Sequence, residues 1–340
     1  MRVNNETINF LSDTFDDIVS NYYIAANGLN LDNVEETKDI QIKVTYLDAL
    51  YKVLNAYMDS EDIKVTSDYE ETLNSHLKRI DDWFETHEVN SEEIRKAFLL
   101  LVIKGFKHAN YSLDLITPDA VGMILVHLID SYLKNKKEIK IIDPNAGTGN
   151  LLFLINNYLE KDIHFTAIEI HEGLANLISA LANLSEVNID VMLQDALSAT
   201  YSNQDLLVTD VAAYEYDTML HNSYLANKGV KYFPYLLIEK YLETEKPIKK
   251  QIYLIDHDFF EQPNAEIFKT YLQEHAYIKC LITLPSTMFQ KPDFTRGILI
   301  LEPLDENTKV PNTGIYMLPS IKEEQKFMQV LNQIKKDLEN

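Results

Sequence analysis

The sequence predicts an α/β protein in which a doubly wound, mostly parallel sheet with an antiparallel edge strand follows an all-α N-terminal domain. Three observations carry this. Residues 1–110 place apolar residues at spacings of three and four with almost no strand signal. From residue 111 short apolar runs alternate with helical stretches, the pattern of a parallel sheet with helical crossovers. One run, IKIIDPNAGTGNLLFLI at 139–155, closes on an aspartate, turns on two glycines and resumes at helical spacing.

The helical segment reads as FLSDTFDDIVSNYY, YLDALYKVLNAYM, LNSHLKRIDDWF and IRKAFLLLVIKGF. It carries 11 basic against 21 acidic residues, so its exposed faces are acidic. Residues 1–110 are therefore expected to form a domain that mediates contacts, with a protein partner or a second copy, and not to build the ligand pocket. The second domain, 111–340, opens with a helix at Thr117-Pro118, where a hydroxyl that can cap precedes a proline in the first turn. Strands are expected at IKIID, HFTAIEI, DVMLQD, DLLVTDV, QIYLID, IKCLITL and GILILEP. Helices are expected near 149–160, 172–184, 231–243 and 264–275, with a last amphipathic helix near 320–339. No helix signal separates the last two strands, which suits an antiparallel pair at one edge.

Composition narrows the partners. The chain has 340 residues, 46% hydrophobic, enough for one large core and a smaller one. With 31 basic and 53 acidic residues its formal charge is −22, which opposes non-specific attachment to nucleic acid or anionic membranes. Cys280, the single cysteine, lies in an apolar run and reads as a buried small residue in a reducing cytoplasm. MRVNNETINF has no cleavable apolar core, and no apolar run approaches the roughly 20 residues of a spanning helix, so a cytoplasmic protein without a membrane partner is expected. The nine histidines and one cysteine show no metal-ligand spacing.

In a doubly wound sheet the turn after the first strand is the usual ligand site. Gly147 and Gly149 there allow positive φ and close approach, and the next helix offers free N–H groups. A dinucleotide fingerprint needs a third glycine, but Leu152 stands in its place. Asp143, just before the turn, would repel a pyrophosphate and points to a cationic or hydrogen-donating ligand. Glu169, about 20 residues beyond the glycine turn at the second strand's end, is placed to accept from both ribose hydroxyls. Asp195 ends the third strand. Each carboxylate alone could equally be a helix cap or a solvated strand end; in this order, an adenosine with a cationic amino-acid tail suits the set, and S-adenosylmethionine is that molecule.

TP at 117–118, DPNAGTGNLL at 143–152, IEI at 168–170, QDAL at 194–197, DLLVTDVAAYEYD at 205–217 and LPSTMF at 284–289 resemble, in this order, the class I S-adenosylmethionine-dependent, N6-adenine-specific DNA methyltransferases. They look most like the methylation subunits of type I restriction systems and small stand-alone relatives. The resemblance covers 111–304 and implies a Rossmann-like methyltransferase sheet. It also implies that Thr117 and Pro118 sit beside the methionine moiety, that Asp143, Ala146, Gly147 and Gly149 shape its cradle, and that Glu169 holds the ribose. Ile170 would pack on the adenine, and Asp195 with Ala196 would read its amino edge. Core packing is the other reading of Ile170 and Ala196.

The family's catalytic signature, Asn/Asp/Ser-Pro-Pro-Tyr/Phe, is departed from here. The corresponding residues are Asp210-Val211-Ala212-Ala213, which keep the acid and lose both prolines and the adjoining ring. The chemistry needs a flipped base, an aromatic ring beneath it and oxygen acceptors on its exocyclic amine. Asp210 could accept, and Tyr214 or Tyr216 could supply the ring from a longer turn; both tyrosines also suit half-buried loop positions. DNA as a partner needs a local basic face, for which Lys228, Lys231, Lys246, Lys249, Lys250, Lys291 and Arg296 are the candidates. Two functions stay open: methyl transfer to an exocyclic amine, and a cofactor-binding regulatory or assembly module with a degenerate catalytic motif.

Overall fold

The computed structural model describes residues 3–29, 43–65, 70–201, 203–220, 222–243, 247–289, 295–305 and 310–339. By contact the chain divides into two compact units: Met1–Ile116 with Gly147–Asn157 and His171–Asn188, and Thr117–Ala146 with Tyr158–Ile170 and Ile189–Asn340.

The first unit is helical. Its N-terminal helices are α1 (Asn5–Asn27), α2 (Tyr46–Met58), α3 (Glu70–Thr86) and α4 (Ser91–His108), one for each of the four periodic stretches. Local chemistry sets their starts. Capping boxes of Thr45 with Asp48 and of Asn90 with Glu93 open α2 and α4, and the Asn4 side chain caps α1. Glu93 also accepts from the Asn4 backbone at 2.7 Å, tying the starts of α1 and α4 together. Phe15 of α1 and Phe98 of α4, both buried, pack with ring centroids 4.9 Å apart. Grouped with them are α6 (Asn150–Tyr158, through Asn157) and α7 (Glu172–Leu184), both within the segment expected to be the second domain. Contacts thus do not divide at a single point near residue 110.

The second unit holds the sheet. Its strands are β1 (Glu138–Asp143), β2 (Asp162–Glu169), β3 (Ile189–Leu193), β4 (Leu206–Asp210), β5 (Gln251–Asp256), β6 (Ala276–Thr283), β7 (Arg296–Pro303) and β8 (Gly314–Met317). Its helices are α5 (Asp119–Tyr132), α8 (Tyr224–Asn227), α9 (Phe233–Leu242), α10 (Ala265–His275) and α11 (Glu324–Glu339). The spatial order is β3-β2-β1-β4-β5-β7-β6-β8, with β1 to β5 parallel and β7 antiparallel to both β5 and β6. The antiparallel pairing of β6 with β7 is the one the missing helix signal predicts. β8, four residues long, adds parallel to β6 at the margin and carries too little pattern to be read from sequence. The seven strands and six helices expected over residues 111–340 are all present, with ends shifted by a few residues.

The strand interiors are apolar because the sheet is covered: β4 and β5 are buried along nearly their whole length. Behind them Tyr235 stacks on Phe268 at 4.0 Å and meets Phe259 edge-on at 5.0 Å. This core fixes the β4 and β5 ends, where the candidate site lies.

Candidate active site

Register decides which strand-end acids meet. Asp143 pairs with Ala167 of β2, and Ile142 pairs with Leu207 of β4. Glu169 and Asp210 therefore each lie two residues beyond the level of Asp143 on neighbouring strands, and the even offsets put all three on one face. Asp210 is level with Leu254, so Asp256 stands on that face as well, two residues on and paired with Arg296 of β7. Four strand-end carboxylates from four strands thus share one face of the sheet.

Asp143 is 1% exposed and lies deepest. Burial pushes its carboxyl up to about 7; the Thr209 hydroxyl and the Asn145 amide hold it down, and the charges of Asp210 and Glu169 push it further up. Glu169 is buried too. Arg296 answers part of this charge, hydrogen-bonding Asp256 and standing 3.9 Å from Asp210.

The Thr117 hydroxyl donates to Asp210 Oδ2 at 2.8 Å. It does not cap α5: the N-cap is Pro118, which makes no side-chain cap bond. The carboxylate is the stronger acceptor, and it draws the hydroxyl away from the helix start. The Thr-Pro motif and the candidate catalytic acid are thus one assembly within the second unit.

The loop after β4 is held at several points. Val211 N–H donates to Leu254 O at 3.2 Å and Ala212 N–H to Asn145 Oδ1 at 2.8 Å. Phe233 N–H donates to Tyr214 O at 2.9 Å and Tyr216 N–H to Lys231 O at 2.7 Å, around an antiparallel bridge from Glu215 to Tyr232. Tyr214 is 45% exposed and stacks on Phe233 with centroids 4.5 Å apart. Tyr216 points elsewhere, its hydroxyl donating to Asp195 Oδ2 at 2.5 Å. The other oxygen of Asp195 accepts from Leu197 N–H at 2.8 Å, so this acid orders its own turn. Ala196 is buried beside it, while Ile170 is 66% exposed, an apolar surface next to Glu169.

The glycine turn continues the chain from Ala146, whose N–H donates to Ile168 O at 3.1 Å, and belongs to the first unit. Gly147 and Gly149 have φ of +57° and +73°. A Cβ on Gly149 would lie 3.0 Å from both Ile178 Cγ1 and Phe153 Cε2, so only glycine fits there.

Sequence reasoning missed Asn145, Arg296 as a partner of the site acids, and Phe233 beneath Tyr214. Asn145 was legible only as part of the glycine motif; the other two become neighbours through tertiary pairing. Of the basic residues considered for DNA, Lys231 pairs with Asp217 at 2.8 Å, Lys250 covers the Tyr132 ring at 3.9 Å, and Lys228 lies 5.7 Å from the Tyr224 ring centroid. Lys246 and Lys291 lie outside the described residues. Among the described residues no His/Cys/Asp/Glu group is arranged to hold a metal, and no helix is long and apolar enough to cross a membrane.

The profile of the N-6 DNA Methylase family matches residues 102–339, and that of the YtxK N-terminal helical domain matches residues 31–106. YtxK of Bacillus subtilis (strain 168), itself uncharacterised, is 29% identical over 302 residues, which is 86% of this chain and 91% of YtxK. A Listeria monocytogenes structure described as a class I S-adenosylmethionine-dependent methyltransferase superposes with a TM-score of 0.79 at 23% identity, over 98% of this chain and 100% of that one. The methyltransferase subunit of a type I restriction-modification system from Streptococcus thermophilus gives 0.61 at 16% identity, over 95% and 74%. At these identities the two structures establish the fold.

The chain belongs to the N-6 DNA methylase family, has its methyltransferase fold, and takes S-adenosylmethionine as the implied cofactor. The residues suit that group. A buried carboxyl, Asp143, that the charges of Asp210 and Glu169 repel matches a cationic ligand and disfavours a pyrophosphate.

Proposed function

We propose that this chain transfers a methyl group to the exocyclic amine of an adenine in nucleic acid, with Asp210 as the acceptor that orients the amine and Tyr214 as the ring on which the flipped base rests. Asp143 and Glu169, with the glycine turn of Gly147 and Gly149, would hold the cofactor, which supplies an electrophilic methyl on a sulfonium when bound. Asp210 would hold the amine so that its lone pair faces that methyl and forms the new N–C bond as the C–S bond breaks, and the amine proton would leave to solvent.

The observation that carries this reading is the order in the loop after Asp210. Proline fixes backbone geometry and has no N–H to satisfy. Here the N–H groups of Val211 and Ala212 exist, and both are bonded, to Leu254 and Asn145. Hydrogen bonds thus supply the restraint that the family obtains from its prolines, and positioning to that tolerance is what amine methylation needs.

The test is methyl transfer from labelled S-adenosylmethionine to unmethylated genomic DNA and total cell RNA, at low and moderate salt, with nucleosides identified by mass spectrometry. Label in N6-methylated adenine, lost in Asp210→Ala, is the expected result. Label in protein alone would overturn the substrate. A specific observation favours a second reading: Asp210 already accepts from Thr117, and the chain carries −22. A cofactor-binding regulatory or assembly module that contacts a partner through its acidic helices would bind S-adenosylmethionine and label nothing.

A further inference from the structure

The first unit contains a buried polar network with no place in the chemistry above. Glu92 and Arg95 lie in the first two turns of α4 and are 0% and 5% exposed. Arg95 grips Glu92 in a fork, Nε to Oε2 and Nη2 to Oε1, both at 2.7 Å. Its third arm, Nη1, donates to Asn150 Oδ1 at 2.7 Å. Asn150 is the first residue of α6 and directly follows Gly149. Its own N–H reaches back to the Thr148 hydroxyl at 3.4 Å. The far end of α6 is held by the same turn of α4: Asn157 Nδ2 donates to Glu92 Oε2 at 2.9 Å, and Ser91 donates to Asn157 Oδ1 at 2.8 Å.

Burial alone would raise the Glu92 carboxyl, but hydrogen bonds from Arg95 and Asn157, with the charges of Arg95 and Lys96, bring it below its ordinary value. The fork is therefore ionised, and an ion pair this deep is costly unless every arm is used. A hydrophobic contact would have joined α4 to α6 more cheaply. What the fork adds is direction: one planar guanidinium fixes the acid on α4 and the first side chain after the glycine turn together. The cavity there is only 20 Å³, lined by Arg95, Phe98, Thr148, Asn150, Phe153 and Leu181, so a shift of α4 has little free space in which to be absorbed.

We propose that Arg95 is a positioning residue for the cofactor turn: through Asn150 the N-terminal helices hold Gly147–Gly149 in its left-handed geometry, and the helical segment is a working part of cofactor binding. This rests on the cofactor reading above. It departs from the expectation that residues 1–110 only mediate contacts. Anything that moves the start of α4 will change cofactor affinity, and by reciprocity the cofactor will change how that helix binds a partner.

The test uses the full chain and three variants. Asn150→Ala removes the acceptor on the turn and leaves the Arg95–Glu92 pair; Arg95→Lys keeps the charge but cannot fill the fork and reach Asn150 together. Lys104→Met breaks the 2.6 Å pair of Lys104 with Asp16, elsewhere on α4. Calorimetry with S-adenosylmethionine and hydrogen exchange of the ligand-free peptide spanning 145–150 are the readouts. Asn150→Ala and Arg95→Lys are each expected to weaken binding about tenfold and to speed exchange at the turn, about what one charge-assisted hydrogen bond sets. Lys104→Met is expected to lower the melting temperature with affinity held within about twofold. Unchanged exchange at the turn in Asn150→Ala and Arg95→Lys overturns the proposal, as does a Lys104→Met effect on affinity equal to theirs. If wild type takes up no S-adenosylmethionine while exchange still rises in both variants, the anchoring stands and the cofactor reading falls.

Discussion

Thr117 donates its hydroxyl hydrogen to Asp210 Oδ2 at 2.8 Å, joining the residue that precedes the N-cap of α5 to the last residue of β4 across 93 positions of sequence. The bond orients the carboxylate and leaves it one oxygen toward Arg296, whose Nε stands 3.9 Å away. An acceptor held from two sides is poised without having to be ordered by its substrate.

Separating those two holds gives the first prediction. Thr117→Val keeps the shape and removes the donor, so the unfolding free energy should fall by about 1–2 kcal/mol. Methyl transfer, where it is found, should fall about tenfold with Asp210 turned from its direction, and cofactor affinity should change less. Steady-state kinetics beside calorimetry check this. An equal loss in affinity and in turnover would place Thr117 with the cofactor and not with the acceptor.

Asp143 makes cofactor binding depend on pH. Its carboxyl titrates near about 7 in the free protein because burial disfavours the charge, and Asp210 and Glu169 repel it. A cation beside it favours the ionised form, so binding below about pH 7 must release a proton. Affinity should therefore rise with pH, by up to about tenfold per unit, and level off above about 7. Stability of the free protein has the opposite trend: the folded state holds the proton more tightly than the unfolded chain, so stability falls as pH rises from near 4 to about 7. Titration calorimetry in buffers of different ionisation heat counts the proton. Glu169→Gln removes one repelling charge and should move the midpoint down; a midpoint that stays put would mean that Glu169 does not face Asp143.

How much of this was readable beforehand follows from where each restraint lies in the chain. The strands and helices come from local periodicity, and Asp143, Gly147, Gly149 and Glu169 sit in contiguous motifs, so spacing alone singles them out as candidates. The sequence marks Thr117 as a helix cap and as a neighbour of the cofactor's methionine moiety, but nothing local announces that its hydroxyl will bond Asp210. Arg296 read as one surface cation among seven; only the pairing of β7 with β5 sets it beside Asp256 and Asp210. The link from Arg95 to Asn150 spans 55 residues; Asn150 falls in the glycine motif, but Arg95 looks like ordinary helix surface in the sequence. Long-range polar pairing is invisible to periodicity.

The two glycines of the turn should respond differently to alanine. At Gly149, φ of +73° and contacts of 3.0 Å to Ile178 and Phe153 combine strain with overpacking, for about 2–4 kcal/mol of destabilisation. At Gly147 the φ of +57° is similar, but the nearest atom to a Cβ is Leu115 O at 3.8 Å, so only the left-handed penalty of about 1–2 kcal/mol applies. Chemical denaturation ranks them. A Gly147→Ala protein that is as stable as wild type yet fails to bind S-adenosylmethionine would show that the free space at that position is used by the ligand.

The loop carrying Tyr214 supplies the last prediction, because it tests whether hydrogen bonds can stand in for the family's prolines. Asn145 Oδ1 holds the Ala212 N–H at 2.8 Å, and Tyr214 lies on Phe233 with its ring half exposed. Asn145→Ala leaves that N–H without its acceptor and should loosen the loop, seen as faster hydrogen exchange at 211–214 with the sheet unchanged. Adding back the restraint covalently, Ala212→Pro in the Asn145→Ala background, removes the donor that lost its partner and should recover part of the order. If Tyr214 is the platform for a flipped base, Tyr214→Phe should keep most of the transfer to nucleic acid, whereas Tyr214→Ala should lower it by about 1–3 kcal/mol of lost stacking, or roughly tenfold to a hundredfold. Cofactor affinity should be the same in all three proteins. Full activity in Tyr214→Ala would remove the ring from the reaction and leave it as packing against Phe233, and loss in Tyr214→Phe as large as in Tyr214→Ala would mean that the hydroxyl, not the ring face, is what the substrate meets.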